Sequence, residues 1–176
     1  MKSEIKLFTV AELQLSAAPS AFVGTLVVWM MLSAIGITLL RLTAVEAVFG
    51  GLIATALHWC SGTFHHWGHA QIARQTGYPM VGVRYWAVFG QSLYPPNEPT
   101  LPASVHIRRA LGGPAASTTL GIVFGVITLV LWPTGGLARW ITAFAALDNL
   151  LVLGPGAFMP LGFTDGSTLL RYWGKP

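Results

Sequence analysis

The stretch Phe64-His65-His66-Trp67-Gly68-His69-Ala70 closes a long apolar segment that contains Leu52, Ile53 and Trp59. His65 and His69 stand four residues apart, so on a helix their imidazoles project from one face and can grip one metal ion. His66 points about 100° away from that face. The spacing therefore predicts a helix, and the apolar neighbours predict that it crosses lipid.

Composition agrees. Hydrophobic residues make up 53% of the 176 residues and charged ones 9%, with a mean hydropathy of +0.62, which places the chain in a bilayer. The net charge of +4 comes from singly scattered lysines and arginines, and no basic run is present that could track nucleic acid. Cys60 is the only cysteine, which excludes an internal disulfide framework and a cysteine metal site. Residues 1–20 contain Glu4, Glu12 and Pro19 and lack a compact apolar core. They are expected to stay on the protein as an interfacial segment, a short amphipathic helix, ahead of a single membrane-embedded core over 21–176.

Four spans are predicted, giving an all-α membrane protein. The first covers 21–40, about 20 residues without a charge and enough to cross roughly 30 Å of hydrocarbon. The second runs over 43–75 and carries the histidines toward its carboxyl end. A third covers 104–132, with Gly112-Gly113-Pro114 early and Pro133 at its close, and a fourth covers 137–153, broken by Gly154-Pro155-Gly156. Between the second and third, residues 80–93 are rich in β-branched and aromatic side chains (Val81, Val83, Tyr85, Trp86, Val88, Phe89) punctuated by Gly82 and Gly90, which predicts a short β-hairpin at the membrane surface. A short helix over 166–173 ends the chain.

With four crossings, Lys2, Lys6, Arg74, Arg84, Arg108, Arg109, Arg171 and Lys175 share one side, and Arg41 and Arg139 the other. The positive-inside rule then places both termini, the hairpin and the histidine end of the second helix on the cytoplasmic face, as in a bacterial inner (plasma) membrane protein.

His58, His65 and His69 form one stripe at i, i+7 and i+11. Histidines in lipid need a metal, a polar interior or a partner. His58 is expected to hydrogen-bond within the bundle and give polar support, while His65 and His69 are expected to bind metal. Zinc sites with open chemistry use three protein ligands and a water, so a third ligand is sought among the acids. Asp165, in Thr164-Asp165-Gly166, would sit at the depth of the histidines if the last helix starts on the cytoplasmic side, although an aspartate there also caps helices. Asp148, beside Asn149, lies deeper and fits a hydrogen-bonded cluster. In the zinc-hydrolase pattern His-Glu-x-x-His the second letter is the general base. Here it is His66.

These features together resemble the site-2 protease family of intramembrane zinc metalloproteases. The signatures occur in order: His65-His66-Trp67-Gly68-His69-Ala70, then Ala110-Leu111-Gly112-Gly113-Pro114-Ala115-Ala116, then Asn149-Leu150-Leu151 with Pro160-Leu161 and Thr164-Asp165-Gly166. The resemblance spans about Thr43 to Leu170. It implies zinc held by His65, His69 and Asp165, a segment at Gly113, Pro114 and Asn149 that receives substrate, and strands over Met80–Phe89 that accept an unwound membrane-anchored protein substrate by strand addition. It also implies that His66 stands where the family carries its glutamate base, whose loss costs about 10² to 10⁴ in rate. Of the other acids, Glu46 lies about 28 Å along the helix from His65, and Glu98 sits in a proline-rich loop. The expectation is a peptidase fold with impaired or absent proteolysis. The alternative is a non-catalytic membrane subunit of a larger complex, either a pseudoprotease scaffold for partner helices or one in which histidines and the seven tryptophans contact a haem or chlorophyll-type pigment.

Overall fold

The computed structural model describes residues 4–175; Lys2, counted above in the charge asymmetry, lies outside them. The described chain is mostly helical, with a small mixed sheet at one end. In order it runs β1 (Ile5–Val10), β2 (Leu13–Ala17), α1 (Pro19–Thr38), α2 (Ala44–Gln75), β3 (Gly82–Trp86), β4 (Phe89–Leu93), α3 (Ala103–Leu131), α4 (Gly136–Leu147) and α5 (Asp165–Tyr172).

Among the described residues, four helical segments are long and apolar enough to cross a membrane: Pro19–Thr38, Ala44–Gln75, Ala103–Thr134 and Gly136–Phe158. Each begins or ends where the local chemistry dictates. Pro19 opens α1 with its missing N–H where none is needed. α2 starts at a capping box in which the Glu46 N–H donates to the Thr43 hydroxyl and the Thr43 N–H donates to the Glu46 carboxylate at 3.0 Å. Pro133 and Gly135 stop the third span. α4 does not end at its last regular turn; it widens to π geometry over Asp148–Leu153 before breaking at Gly154.

Among lipid-exposed helices there is little hydrophobic drive for association, so close backbone approach does the packing. α2 and α3 meet at Gly68 and Gly112. A Cβ on Gly68 would lie 2.5 Å from the Gly112 carbonyl oxygen, and one on Gly112 would lie 2.6 Å from that of Gly68, so the two helices touch with nothing between them. This contact sets α3 directly over the histidine turn of α2.

The sheet has the order β1-β2-β3-β4. β1 and β2 are antiparallel, β2 and β3 parallel, β3 and β4 antiparallel. The parallel pair is joined by the α1–α2 helical hairpin, a crossover of the length that parallel strands require. Leu13, Leu15, Val83 and Tyr85 bury one face of the sheet against Ala70 and Ala73 at the end of α2. Leu15 and Val83 are fully buried, each contributing about 1.5–3 kcal/mol.

The amino-terminal segment corrects the expectation of a short amphipathic helix there: it forms β1 and β2. Leu13-Gln14-Leu15-Ser16-Ala17 alternates apolar and polar and pairs with β3, which is far away in sequence, so tertiary pairing fixes its conformation. The hairpin within 80–93 forms, and its turn at Ala87-Val88 reaches into the bundle: a Cβ on Gly24 of α1 would meet the Ala87 carbonyl, and His58 of α2 bonds the Val88 carbonyl at 3.2 Å. β3 lies inside the sheet, so the free edge nearest the histidines is β4, Phe89–Leu93, and not the stretch Met80–Phe89.

Candidate metal centre

α2 presents His65 and His69 one turn apart, both buried, beneath the Gly113 backbone of α3. α5 begins at Asp165 and aims its carboxylate at the same point. The Nε2 atoms of His65 and His69 lie 3.0 Å apart. Asp165 Oδ2 is 3.3 Å from His65 Nε2 and Oδ1 is 3.4 Å from His69 Nε2. Thr164 precedes the helix and makes no side-chain cap, so the Asp165 carboxylate faces the histidines and does not close the helix end.

The other ring nitrogen indicates the tautomer of His69. His69 Nδ1 lies 2.7 Å from the Arg109 carbonyl, which only accepts, so Nδ1 carries the hydrogen and Nε2 presents a lone pair. The Gly113 N–H at 3.2 Å from the same nitrogen is then a close approach and not a donor to it. His65 Nδ1 is 3.0 Å from the Ser117 hydroxyl, which can donate or accept. Burial alone pushes the Asp165 carboxyl up, but the His69 and His65 imidazoles outweigh it and hold it well below the usual carboxylate range. Two Nε2 atoms and a carboxylate thus converge on one point, a donor set that could hold a metal ion.

The donor set fits zinc. Donors about 2.0–2.1 Å from a tetrahedral zinc stand about 3.3 Å from one another, and the distances here run from 3.0 to 3.4 Å. His65, His69 and Asp165 form the group of three whose ligand atoms lie within 4.8 Å of one another. Room for it is made by Gly113, where a Cβ would come within 2.3 Å of His69 Nε2 and 2.5 Å of His65 Nε2. Pro114 follows inside α3 and adds no N–H to compete for the carbonyls of the preceding turn.

The fold, though not the site, can be compared with a solved structure. The fold is similar to that of a site-2 protease. The structure of the Site-2 Protease from Methanocaldococcus jannaschii matches with a TM-score of 0.65 at 19% identity, over 96% of this chain and 70% of that one. Neither the family models nor the curated proteins gave a match. At that identity the likeness concerns the fold, and the chemistry rests on this chain's own residues.

His66 sits beside the cluster, its ring centroid 5.3 Å from that of His65 and 5.7 Å from that of His69. It faces the sheet. Its Nδ1 bonds the Ser92 hydroxyl at 3.0 Å, and its Nε2 lies against β4 where Gly90 has no side chain: a Cβ there would be 2.1 Å away.

The carboxylates outside the cluster each have a partner elsewhere. The chain has six Asp and Glu residues, and every one is engaged. Glu4 pairs with Arg84, Glu12 with Arg74, Glu98 with Arg109 and Asp148 with His58. Glu46 accepts from Thr43, and Asp165 faces the histidines.

The remaining sequence-predicted residues separate from the cluster. His58 Nδ1 is 3.1 Å from Asp148 Oδ2 and its Nε2 bonds the Val88 carbonyl, so neither nitrogen is left for a haem or pigment metal. Asn149 is fully buried and donates to Ser61 Oγ at 2.8 Å and to the Ala145 carbonyl at 2.9 Å, while its Oδ1 has no protein partner. Sequence reasoning missed Ser92, Ser117 and Arg109. Arg109, Gly113 and Ser117 recur every four residues on α3, the helical signal that would have grouped them on one face. Arg109 is buried. It grips Glu98 with two nitrogens at 2.6 and 3.1 Å and lies 4.1 Å over the Tyr94 ring, whose hydroxyl burial pushes up to about 12.

Proposed function

We propose that the chain is an intramembrane zinc protein of site-2 protease type that binds membrane-anchored protein segments and hydrolyses them poorly or not at all. The observation that carries this reading is the convergence of His65, His69 and Asp165 in a chain whose other five carboxylates are all engaged elsewhere. Nitrogen and carboxylate donors in a tetrahedral spacing favour zinc over the harder cations. The chemistry available from zinc when bound is acidification of a water and polarisation of a carbonyl.

What the protein adds is orientation. Arg109 and Ser117 hold the two imidazoles, and Gly113 leaves the space between them open. What it withholds is an anionic base: an imidazole carries no negative charge, and the Nδ1 of His66 is held by Ser92. An extended segment from a membrane-anchored partner would add to the free edge of β4, beside which His66 lies. The excess of basic residues at the termini and the hairpin favours the cytoplasmic side for that end, in a bacterial plasma membrane.

Restoring the acid tests this. His66→Glu and the parent chain, both loaded with zinc in proteoliposomes, are compared for cleavage of a reporter transmembrane protein. The expected outcome is cleavage by the variant at about 10² to 10⁴ times the parental rate. Equal cleavage by both would mean that the parent has a working base and would sink the proposal.

A further inference from the structure

The sheet has two free edges, and only β4 lies beside the metal centre. The other is β1, Ile5-Lys6-Leu7-Phe8-Thr9-Val10, all six of whose residues are exposed. Among the described residues no strand pairs with its outer side. This edge borders the helices. Leu7 and Phe8 line one groove with Phe22 and Thr25 of α1 and Trp59 and Cys60 of α2. An exposed edge strand rich in apolar residues is a template for pairing with another strand.

Its residues specify which strand fits. Ile5 and Lys6 oppose Ala17 and Ser16 of β2, whereas Thr9 and Val10 oppose Gln14 and Leu13; the register shifts between Lys6 and Thr9. Gln14 and Ser16 are two apart and point the same way, so Lys6 and Thr9 also share one orientation in the ladder, and Ile5 and Val10 share the other. The extra residue therefore gives β1 a local two-fold symmetry centred on Leu7-Phe8. A second copy running antiparallel about that centre sets Lys6 against the partner's Thr9 and Ile5 against the partner's Val10. Residues of matching orientation meet, apolar faces apolar, and no lysine faces a lysine.

We infer that β1 is a homodimer interface, pairing antiparallel with β1 of a second copy around a two-fold axis at Leu7-Phe8 to form one eight-stranded sheet across the pair. The contact is isologous and closes on itself. It leaves both β4 edges and both metal centres free, and it does not depend on whether zinc is bound.

The test uses the full chain with Cys60→Ser, which removes its only thiol. Two differently tagged copies are co-expressed, one carrying Lys6→Cys and the other Thr9→Cys, and native membranes are oxidised. Directly opposed residues in an antiparallel pair lie about 4.5–5.5 Å apart, within the span of a disulfide. The Lys6–Thr9 combination is expected to cross-link, and Lys6→Cys with itself is not. Thr9→Lys sets two lysine pairs face to face and is expected to raise the dimer dissociation constant about tenfold. Adding Lys6→Glu to that variant restores opposite charges and the parental constant. A monomeric mass in nanodiscs, cross-linking only to other proteins, equal cross-linking of all combinations, or no response to the charge swap would each overturn the inference.

Discussion

α2 carries two histidine–aspartate assemblies on one stripe, and they do opposite things. His58 spends both ring nitrogens on protein, one on Asp148 and one on the Val88 carbonyl. His65 and His69 spend only Nδ1, on Ser117 and on the Arg109 carbonyl, and turn Nε2 toward Asp165 and each other. Residue type is the same in both. What separates a structural tie from a candidate metal centre is the nitrogen left over, and that is decided by the partners that α3 and the hairpin place behind each ring.

The sharpest way to break this comparison is to remove ligands on each side. Asp165→Ala, His65→Ala and His69→Ala are each expected to lower zinc affinity more than about 100-fold, beyond the range for residues that only orient ligands, whereas His58→Ala leaves zinc content unchanged. Elemental analysis of purified protein decides between them. Unchanged metal in the first three would dissolve the distinction.

Gly113→Ala adds one methyl group where the imidazoles converge. Its Cβ cannot coexist with Nε2 atoms at 2.3 and 2.5 Å, so zinc affinity measured by competition with a chelating dye is expected to fall by about tenfold or more, the counterpart of about 1–3 kcal/mol of overpacking. Ser117→Ala leaves the His65 Nε2 donor in place but frees the ring to turn; the expected loss is about tenfold, at the lower end for an orienting partner. Smallest in its effect on metal is Asp148→Asn. It weakens the tie to His58 and should cost about 1–3 kcal/mol of stability, read as a lower unfolding temperature in detergent with zinc binding intact. A fall in zinc binding would show that the two assemblies are coupled.

Much of this was readable in the chain. The four spans follow from hydropathy, because lipid forces every crossing segment into a helix of similar length. His65 and His69 followed from helical spacing. The amino-terminal hairpin did not follow, since its turn at Ala11-Glu12 takes positive φ at two residues that are neither glycine nor asparagine and so carries no turn signature. The roles of Ser117, Ser92 and the Arg109 carbonyl depend on how α3 and β4 lie across α2. No local pattern encodes a backbone oxygen as a partner. Asp148 and Asn149 are neighbours that both bond to α2, at His58 and Ser61, where a regular helix would turn them about 100° apart; the widened turn that permits it has no letter of its own.

Arg109 joins two tasks in one residue. Its main chain receives the His69 hydrogen and its guanidinium clasps Glu98 in the proline-rich loop, buried where salt screens poorly. The loop and the candidate ligand His69 thus lean on the same residue, so a substitution at Glu98 is expected to reach the His69 ring through Arg109.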